Sequence, residues 1–333
     1  MKVLVIGLGS MGKRRIRNLL KLGYKDIIGF DIRTDRINEV NKKYHIKSYF
    51  DLDDALAEKP HAIIISTPPN LHKKYAEIAI TKKINFFMEL NHSSKDLKHI
   101  IKKMKGKKII AYPSSTMIYH PIVKELKKMV KKKVIGKILL INHHNGHFLP
   151  NWHPWEDYRE FFVSKKETGG AKELVPFELI WLTHIFSKIK SVYANIDKIS
   201  KLKTDIDDIY QIQLEFKNKI VCNLLLDVIS IPSFRETKII GEKGTILCDF
   251  NKGTIKVNKG KRWSTIKLKI GKVEKGYKKN TPPDAIYEEE MKSFFSAIKN
   301  QKKYPYSLKD ELKVLYILDS LENSSKNKRR INV

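Results

Sequence analysis

Cysteine is scarce in this chain: two residues in 333, Cys222 and Cys248. Neither sits in a CxxC pair or beside a histidine cluster, which excludes a disulfide framework and a zinc site as readings of the sequence. Both are expected in strands as small buried hydrophobes, and a reducing cytoplasm is the expected compartment. Long apolar runs are missing too. None reaches the roughly 18 to 20 residues that a helical membrane span needs, so no membrane association is expected. Met1-Lys2-Val3-Leu4-Val5-Ile6-Gly7 begins like a signal peptide, but its apolar run is short and a glycine motif follows at once, so it reads as a first strand. Acidic residues are few: 36 Asp and Glu against 66 Lys and Arg, a formal net charge of +30. Lysine far outnumbers arginine and is spread along the chain. No arginine-rich arm with interleaved aromatics and no nucleic-acid motif accompanies it, so no specific nucleic-acid partner is expected. The charge instead favours small anionic ligands by steering. Internal repeats and low-complexity linkers are absent.

What is present is enough for two domains. Hydrophobic residues make up 41% of the chain, within reach of the globular range. Up to about residue 111, short β-branched runs at Val3–Ile6, Ile27–Phe30, Ala62–Ile65, Ile84–Met88 and Lys108–Ala111 alternate with helical stretches such as Arg14–Lys21 and Asn70–Thr81. That alternation predicts βαβ units and a doubly wound parallel sheet. After about Thr116 the pattern changes. A helix is predicted near Tyr119–Lys132, a strand over Lys137–His144, an aromatic-rich loop from His147 to Thr168 and a helix near Pro176–Phe186. Runs at Ser191–Ile196, Ile209–Phe216, Ile220–Val228, Thr237–Ile240 and Thr245–Phe250, punctuated by turn residues, predict a mostly antiparallel sheet. Helices near Ala285–Lys299 and Leu308–Ser320 close the chain before a loose basic tail at Lys326–Arg330. The expected division is residues 1–116, binding a dinucleotide, and 117–333, binding substrate.

The cofactor site is the most specific signal. Gly7-Leu8-Gly9-Ser10-Met11-Gly12 follows a strand and opens a helix, and Asp31 lies at the end of the next strand. Gly7 permits the tight turn, Gly9 lets the backbone approach a pyrophosphate, and Gly12 allows close packing of helix on strand. The phosphates would meet the helix N-terminus at Ser10 and Met11. Asp31 can accept the adenosine ribose hydroxyls and favours NAD. Arg33, just past the strand, could instead meet a 2′-phosphate, which makes NADP the alternative. The fourth strand leads into Ser66-Thr67-Pro68-Pro69-Asn70-Leu71-His72, and strand carboxyl ends are where such sheets bind ligands. Thr67 and Asn70 are therefore dinucleotide contacts by position, and Asn70 is also a candidate helix N-cap.

With these pieces in view, the chain resembles the Gfo/Idh/MocA family of oxidoreductases. The resemblance rests on Gly7–Gly12, Ser66–His72, His120-Pro121, Gly241-Glu242-Lys243-Gly244-Thr245 and the closing helices. It implies a Rossmann domain followed by an α/β domain with an open sheet that often serves homo-oligomerisation. It further implies NAD(P)-dependent oxidation or reduction of a sugar, cyclitol or nucleotide sugar, with Pro68, His72 and Glu89 joining the cofactor site. Members usually carry Glu-Lys-Pro after the fifth strand, and this chain has Glu89-Leu90-Asn91. Members also carry Asp-x-x-x-His after a glycine run, and here Leu174 and Glu178 fill those two places.

Without the usual lysine and histidine, proton transfer would fall to Glu178, with Lys172 or Tyr158 as alternatives. In the loop His147–Arg159, Trp155 and Tyr158 suit sugar faces, and His147 and Arg159 suit hydroxyls or a carboxylate. His143, His144 and His184 are read as structural. Three functions remain open: net hydride transfer on a sugar-type substrate, NAD(P) binding without turnover as a sensor or partner protein, and a lyase or epimerase reaction with tightly held NAD.

Overall fold

The protein, described here from a computed structural model over residues 1–273 and 281–333, divides into two units. The first comprises Met1–Ser115 together with Asp284–Lys313, and the second comprises Thr116–Pro283 together with Val314–Val333. The chain passes from the first unit to the second after Ser115 and returns to the first over Asp284–Lys313 before ending in the second.

The first unit is built from β1 (Val3–Ile6), α1 (Ser10–Lys21), β2 (Ile27–Phe30), α2 (Thr34–Tyr44), β3 (Lys47–Tyr49), α3 (Leu52–Ala57), β4 (Ala62–Ile65), α4 (His72–Thr81), β5 (Asn85–Met88), α5 (Ser94–Met104) and β6 (Ala111–Pro113). Its sheet is parallel throughout, in the order β3-β2-β1-β4-β5-β6. This is the doubly wound order of a dinucleotide-binding fold. Every residue of β1, β2 and β4 is buried, which explains their unbroken apolar sequences. β3 has no apolar run to announce it: Lys47 is exposed and its neighbours are half-buried.

The second unit contains α6 (Pro121–Lys131), β7 (Ile138–Phe148), α7 (Leu174–Ile185), β8 (Ile189–Asp197), β9 (Ile209–Phe216), β10 (Val221–Asp227), β11 (Ile229–Gly241), β12 (Gly244–Asp249), β13 (Thr254–Asn258) and β14 (Trp263–Lys267). After α8 (Asp284–Ile298) in the first unit comes α9 (Leu308–Asn327), whose later residues belong to the second unit, and then β15 (Ile331–Asn332). The sheet runs β14-β13-β12-β11-β7-β10-β9-β8-β15. All its pairs are antiparallel except β7 with β10. The expected loose tail is corrected: α9 runs through Asn327, and Ile331 and Asn332 pair with Val192 and Ser191. Cys222 and Cys248 are both buried in strands, as expected, and burial pushes both thiols up.

Among the described residues no helix is long and apolar enough to cross a membrane, and no His/Cys/Asp/Glu group could hold a metal.

Candidate active site

In the first unit the glycine loop has the geometry its sequence calls for. Gly7 takes φ +89°, and a Cβ there would lie 2.7 Å from the Ser66 carbonyl oxygen. A Cβ on Gly12 would lie 1.8 Å from the carbonyl oxygen of Gly7, so only glycine fits where α1 crosses β1. α1 starts at Ser10 with Gly9 as its N-cap and no side-chain cap. Its first turn, including Ser10 and Met11, therefore presents backbone N–H groups that an anion can take up. Asp31 is buried and braces the loop: one carboxylate oxygen accepts Leu8 N–H at 2.7 Å, and the other accepts Arg33 N–H at 2.9 Å. Thr67 supplies a further mark of a ligand site, since its Oγ1 is buried without a partner beside the glycine turn. These features fit a dinucleotide.

Two residues depart from expectation here. The Arg33 guanidinium is exposed and pairs with Asp35 at 2.6 Å, turned to its own helix. The arginine beside the carboxylate is Arg36, 3.6 Å from Asp31, where a Cβ on Gly9 would be 3.4 Å from its guanidinium. Asn70 is no N-cap. It is exposed within a short 3₁₀ turn, Pro69–Leu71, entered from Pro68, and α4 starts beyond it without a side-chain cap.

The end of β5 is pinned on both sides of Leu90. Glu89 is clamped by buried Arg15, whose Nε and Nη2 donate to its two oxygens at 2.7 and 2.8 Å. The remaining Arg15 nitrogen donates to Glu290 of α8 at 2.8 Å. The Arg15 side chain and the Glu290 side chain are fully buried, so the clamp is shielded from solvent. On the other side Asn91 donates to Glu311 from both its backbone and its amide, at 2.9 and 3.0 Å. Leu90, between them, is 5% exposed. His72 is buried and does not open to the cleft. Its Nε2 meets the Thr67 carbonyl oxygen at 2.9 Å and its Nδ1 meets Asn91 Oδ1 at 3.0 Å.

In the second unit Glu178 is fully buried and surrounded by donors. His143 Nε2 and Trp181 Nε1 lie 2.8 and 2.5 Å from one oxygen. Asn145 Nδ2 and Arg235 Nε lie 2.8 and 3.2 Å from the other. A carboxylate has about four lone-pair positions; hydrogen bonds with His143, Trp181 and Asn145 take three, and Arg235 adds its charge at ion-pair distance. Burial alone would raise the carboxyl, but Arg235 and then His143 outweigh it and hold Glu178 down at about 2. The proton-carrier role expected of Glu178 is therefore corrected, since it is a buried, ionised anchor held by three hydrogen bonds and the Arg235 charge. Leu174, four residues earlier in α7, is buried and apolar.

The other expected proton carriers are tethered. Lys172 pairs with Glu322 at 2.6 Å, and the Tyr158 hydroxyl accepts Lys203 N–H at 3.3 Å. His147 is in β7, not in a loop as expected, and is buried with its ring stacked on Trp152 at 4.9 Å. Burial, then the charge of Arg235, push His147 down to about 3. Trp155 is 52% exposed and stacks on His153 at 4.8 Å. Arg159 is exposed and bonded to Asp157. His143 and His144, both expected to be structural, point to opposite faces, His143 to Glu178 and His144 to Asp227 at 2.7 Å.

Sequence reasoning missed Arg36, Asn145 and Arg235 altogether. A usable signal existed for one group. His143, Asn145 and His147 alternate along a strand and so share a face, which is unusual for an otherwise apolar inner face.

Comparison with known proteins fits this geometry. A family model described as an oxidoreductase family with an NAD-binding Rossmann fold matches residues 1–113, and a GFO/IDH/MocA C-terminal domain model matches residues 123–247. The chain belongs to the Gfo/Idh/MocA oxidoreductase family. Within it, the chain is 23% identical to glucose-6-phosphate 3-dehydrogenase of Bacillus subtilis over 244 residues, 69% of each chain. Levoglucosan dehydrogenase in complex with NADH superposes with a TM-score of 0.84 at 17% identity, covering 100% of this chain and 99% of that one. The WlbA dehydrogenase from Bordetella pertussis, in complex with NADH and UDP-GlcNAcA, superposes with a TM-score of 0.81 at 14% identity, covering 100% and 98%. These likenesses extend over both units, and the first unit is the family's NAD-binding domain.

Proposed function

We propose that the protein exchanges a hydride between NAD and a hydroxyl-bearing carbon of a sugar or nucleotide sugar. The observation that carries this reading is that the same chain has a dinucleotide loop in its first unit and, in its second, a buried polar cluster on the inner face of the sheet. Sugar hydroxyls need such a set of mixed donors and acceptors. NAD, when bound, supplies the hydride acceptor or donor. Sugar dehydrogenases among the relatives support the substrate class.

Within that reading, the residues divide the work between holding the cluster, moving the proton and covering the sugar. Glu178 holds His143, Asn145 and Arg235 in place. His147 shares the β7 face with His143 and Asn145 and is neutral near pH 7. It is the imidazole proposed to accept the hydroxyl proton, since Glu178 fills the place the resemblance gives to a histidine, and this requires substrate binding to raise it from about 3 towards neutrality. Lys172 and Tyr158 are the second choices, each needing to leave its present partner. Trp155 and Arg159, on the loop after β7, are proposed to cover the sugar. The broad, uncovered face of the nine-stranded sheet, where Asn223 donates to Asn142 at 2.8 Å, is proposed to receive a second copy of the chain. A cytoplasmic location completes this reading.

One observation favours the alternative of NAD binding without turnover. Leu90 is aliphatic, buried and pinned on both sides, at the place where the family resemblance implies a lysine. NADH formation at 340 nm across a panel of free, phosphorylated and nucleotide-linked sugars decides between them. Turnover that falls on the order of 10²-fold or more in His147→Gln, with NAD binding kept, supports the enzyme reading. NAD binding without turnover on any member of the panel supports the alternative.

A further inference from the structure

Three buried residues of the first unit form a chain that the reaction does not use. His72, Asn91 and Glu311 are 1%, 4% and 0% exposed. Glu311, on the first turn of α9, accepts Asn91 N–H at 2.9 Å and Asn91 Nδ2 at 3.0 Å on each oxygen. That fixes the Asn91 amide with its oxygen towards His72, 3.0 Å from Nδ1. The second ring nitrogen, Nε2, faces the Thr67 carbonyl oxygen at 2.9 Å.

Counting protons gives the chain its character. Both ring nitrogens of His72 face oxygens that can only accept, so both bonds form only if the ring carries two protons. The compensating negative charge is then the Glu311 carboxylate, one amide away. Turning the Asn91 amide over gives the other consistent arrangement: Nδ2 donates to a neutral His72, and a protonated Glu311 donates to Oδ1. Both arrangements hold one proton and no net charge. Burial works towards the second, since it lowers His72 and raises Glu311. The charged groups nearby are Glu89 and His92 beside His72, with Asp310 and the Tyr306 phenol towards Glu311.

The chain ends beside the glycine loop. Thr67 carries the unpartnered buried hydroxyl, and its methyl lies 3.0 Å from where a Cβ on Gly7 would stand. The geometry points to His72, Asn91 and Glu311 as a one-proton chain that sets the Thr67 turn against the glycine loop, making Asn91 and Glu311 positioning residues for NAD. This rests on NAD occupying that loop.

The test uses the full-length protein, NAD titration and ¹⁵N spectra of the histidine rings. Glu311→Gln is close in size but cannot hold the carboxylate charge, and Asn91→Leu removes the relay. Each is expected to weaken NAD binding about tenfold, the scale of one lost hydrogen bond. The His72 ring nitrogens should report a ring shared between charged and neutral forms in the unsubstituted protein, and a neutral single tautomer in Glu311→Gln. NAD affinity within twofold of the starting protein in Glu311→Gln overturns the proposal even if that variant unfolds more easily, because a purely structural role would move stability alone. An unchanged His72 spectrum in that variant also overturns it. If Asn91→Leu does not fold, Glu311→Gln carries the test. Failure of the starting protein to bind NAD would sink the cofactor reading instead, leaving the spectra to judge the proton chain by itself.

Discussion

The Arg36 guanidinium stands 3.6 Å from the Asp31 carboxylate, on the side of the loop where Gly9 has no side chain to exclude it. The acidic end of β2 is therefore not bare. Asp31 spends one oxygen on Leu8 N–H and the other on Arg33 N–H, and Arg36 softens its charge towards an incoming phosphate.

Cofactor preference should follow from that pair. NAD is expected to bind more tightly than NADP, because a carboxylate repels a 2′-phosphate. Arg36→Ala should widen the gap, with NADP affinity falling about tenfold for the lost charge-assisted contact and NAD affinity changing less than threefold. Asp31→Ala should narrow or invert it. Titration of both cofactors against the three proteins checks this, and a loss of NAD rather than NADP affinity in Arg36→Ala would assign Arg36 to the adenine instead.

Glu178→Gln should behave as a broken anchor. It leaves Arg235 buried without its counter-charge, at a cost on the order of 3 to 5 kcal/mol. Its pH dependence has a definite sign. The folded carboxyl sits near 2, below the ordinary 4.5, so its stabilisation is present above pH 4.5 and is lost as pH falls towards 2. Urea unfolding of the two proteins between pH 3 and 6 should show that acid-side slope in the original and a weaker one in the variant. Equal slopes would mean Glu178 is not the ionised anchor described.

The His72–Glu311 pair predicts a slope of the opposite sign. The folded pair keeps its proton up to the Glu311 value of about 8, whereas an unfolded histidine releases its own near pH 6.5. Between those values the folded state binds more protons, so stability should fall as pH rises, by at most about 1.4 kcal/mol per pH unit. Glu311→Gln should flatten that window. A slope that survives the substitution would have to come from another group.

Arg159→Ala should raise the sugar KM with little change in NAD affinity, because Arg159 is exposed and, among the described residues, bonded within its own loop to Asp157. Loss of NAD binding instead would make the loop a brace for the cofactor domain.

The fold was legible wherever burial wrote apolar runs. β1, β2, β4 and β9 fall at their expected bounds. β3, β13 and β14 were not legible: each is short and carries exposed lysines or polar residues. The cofactor loop was readable because Gly7 and Gly12 each face a backbone carbonyl that leaves no room for a Cβ. The second-unit cluster was not, because Glu178, Asn145 and Arg235 come together only through the pairing of β7 with β11 and the packing of α7 beneath them. Arg36 was hidden for a different reason. Which of two arginines on adjoining turns reaches Asp31 depends on helix phase, and Arg33 takes the nearer partner, Asp35.

The return of the chain to its first unit bears on how the protein is made. Arg15 and Asn91 emerge early from the ribosome, but their buried partners Glu290 and Glu311 come only after residues 116–283 of the second unit have been synthesised. Until then the nucleotide-binding sheet holds an arginine with half its counter-charge and a turn with no anchor. The nascent first unit is thus an unfinished fold awaiting its last helices. A fragment ending at residue 115 should be poorly stable and aggregation-prone, whereas the same residues joined by a short linker to 284–313 should recover a cooperative unfolding transition.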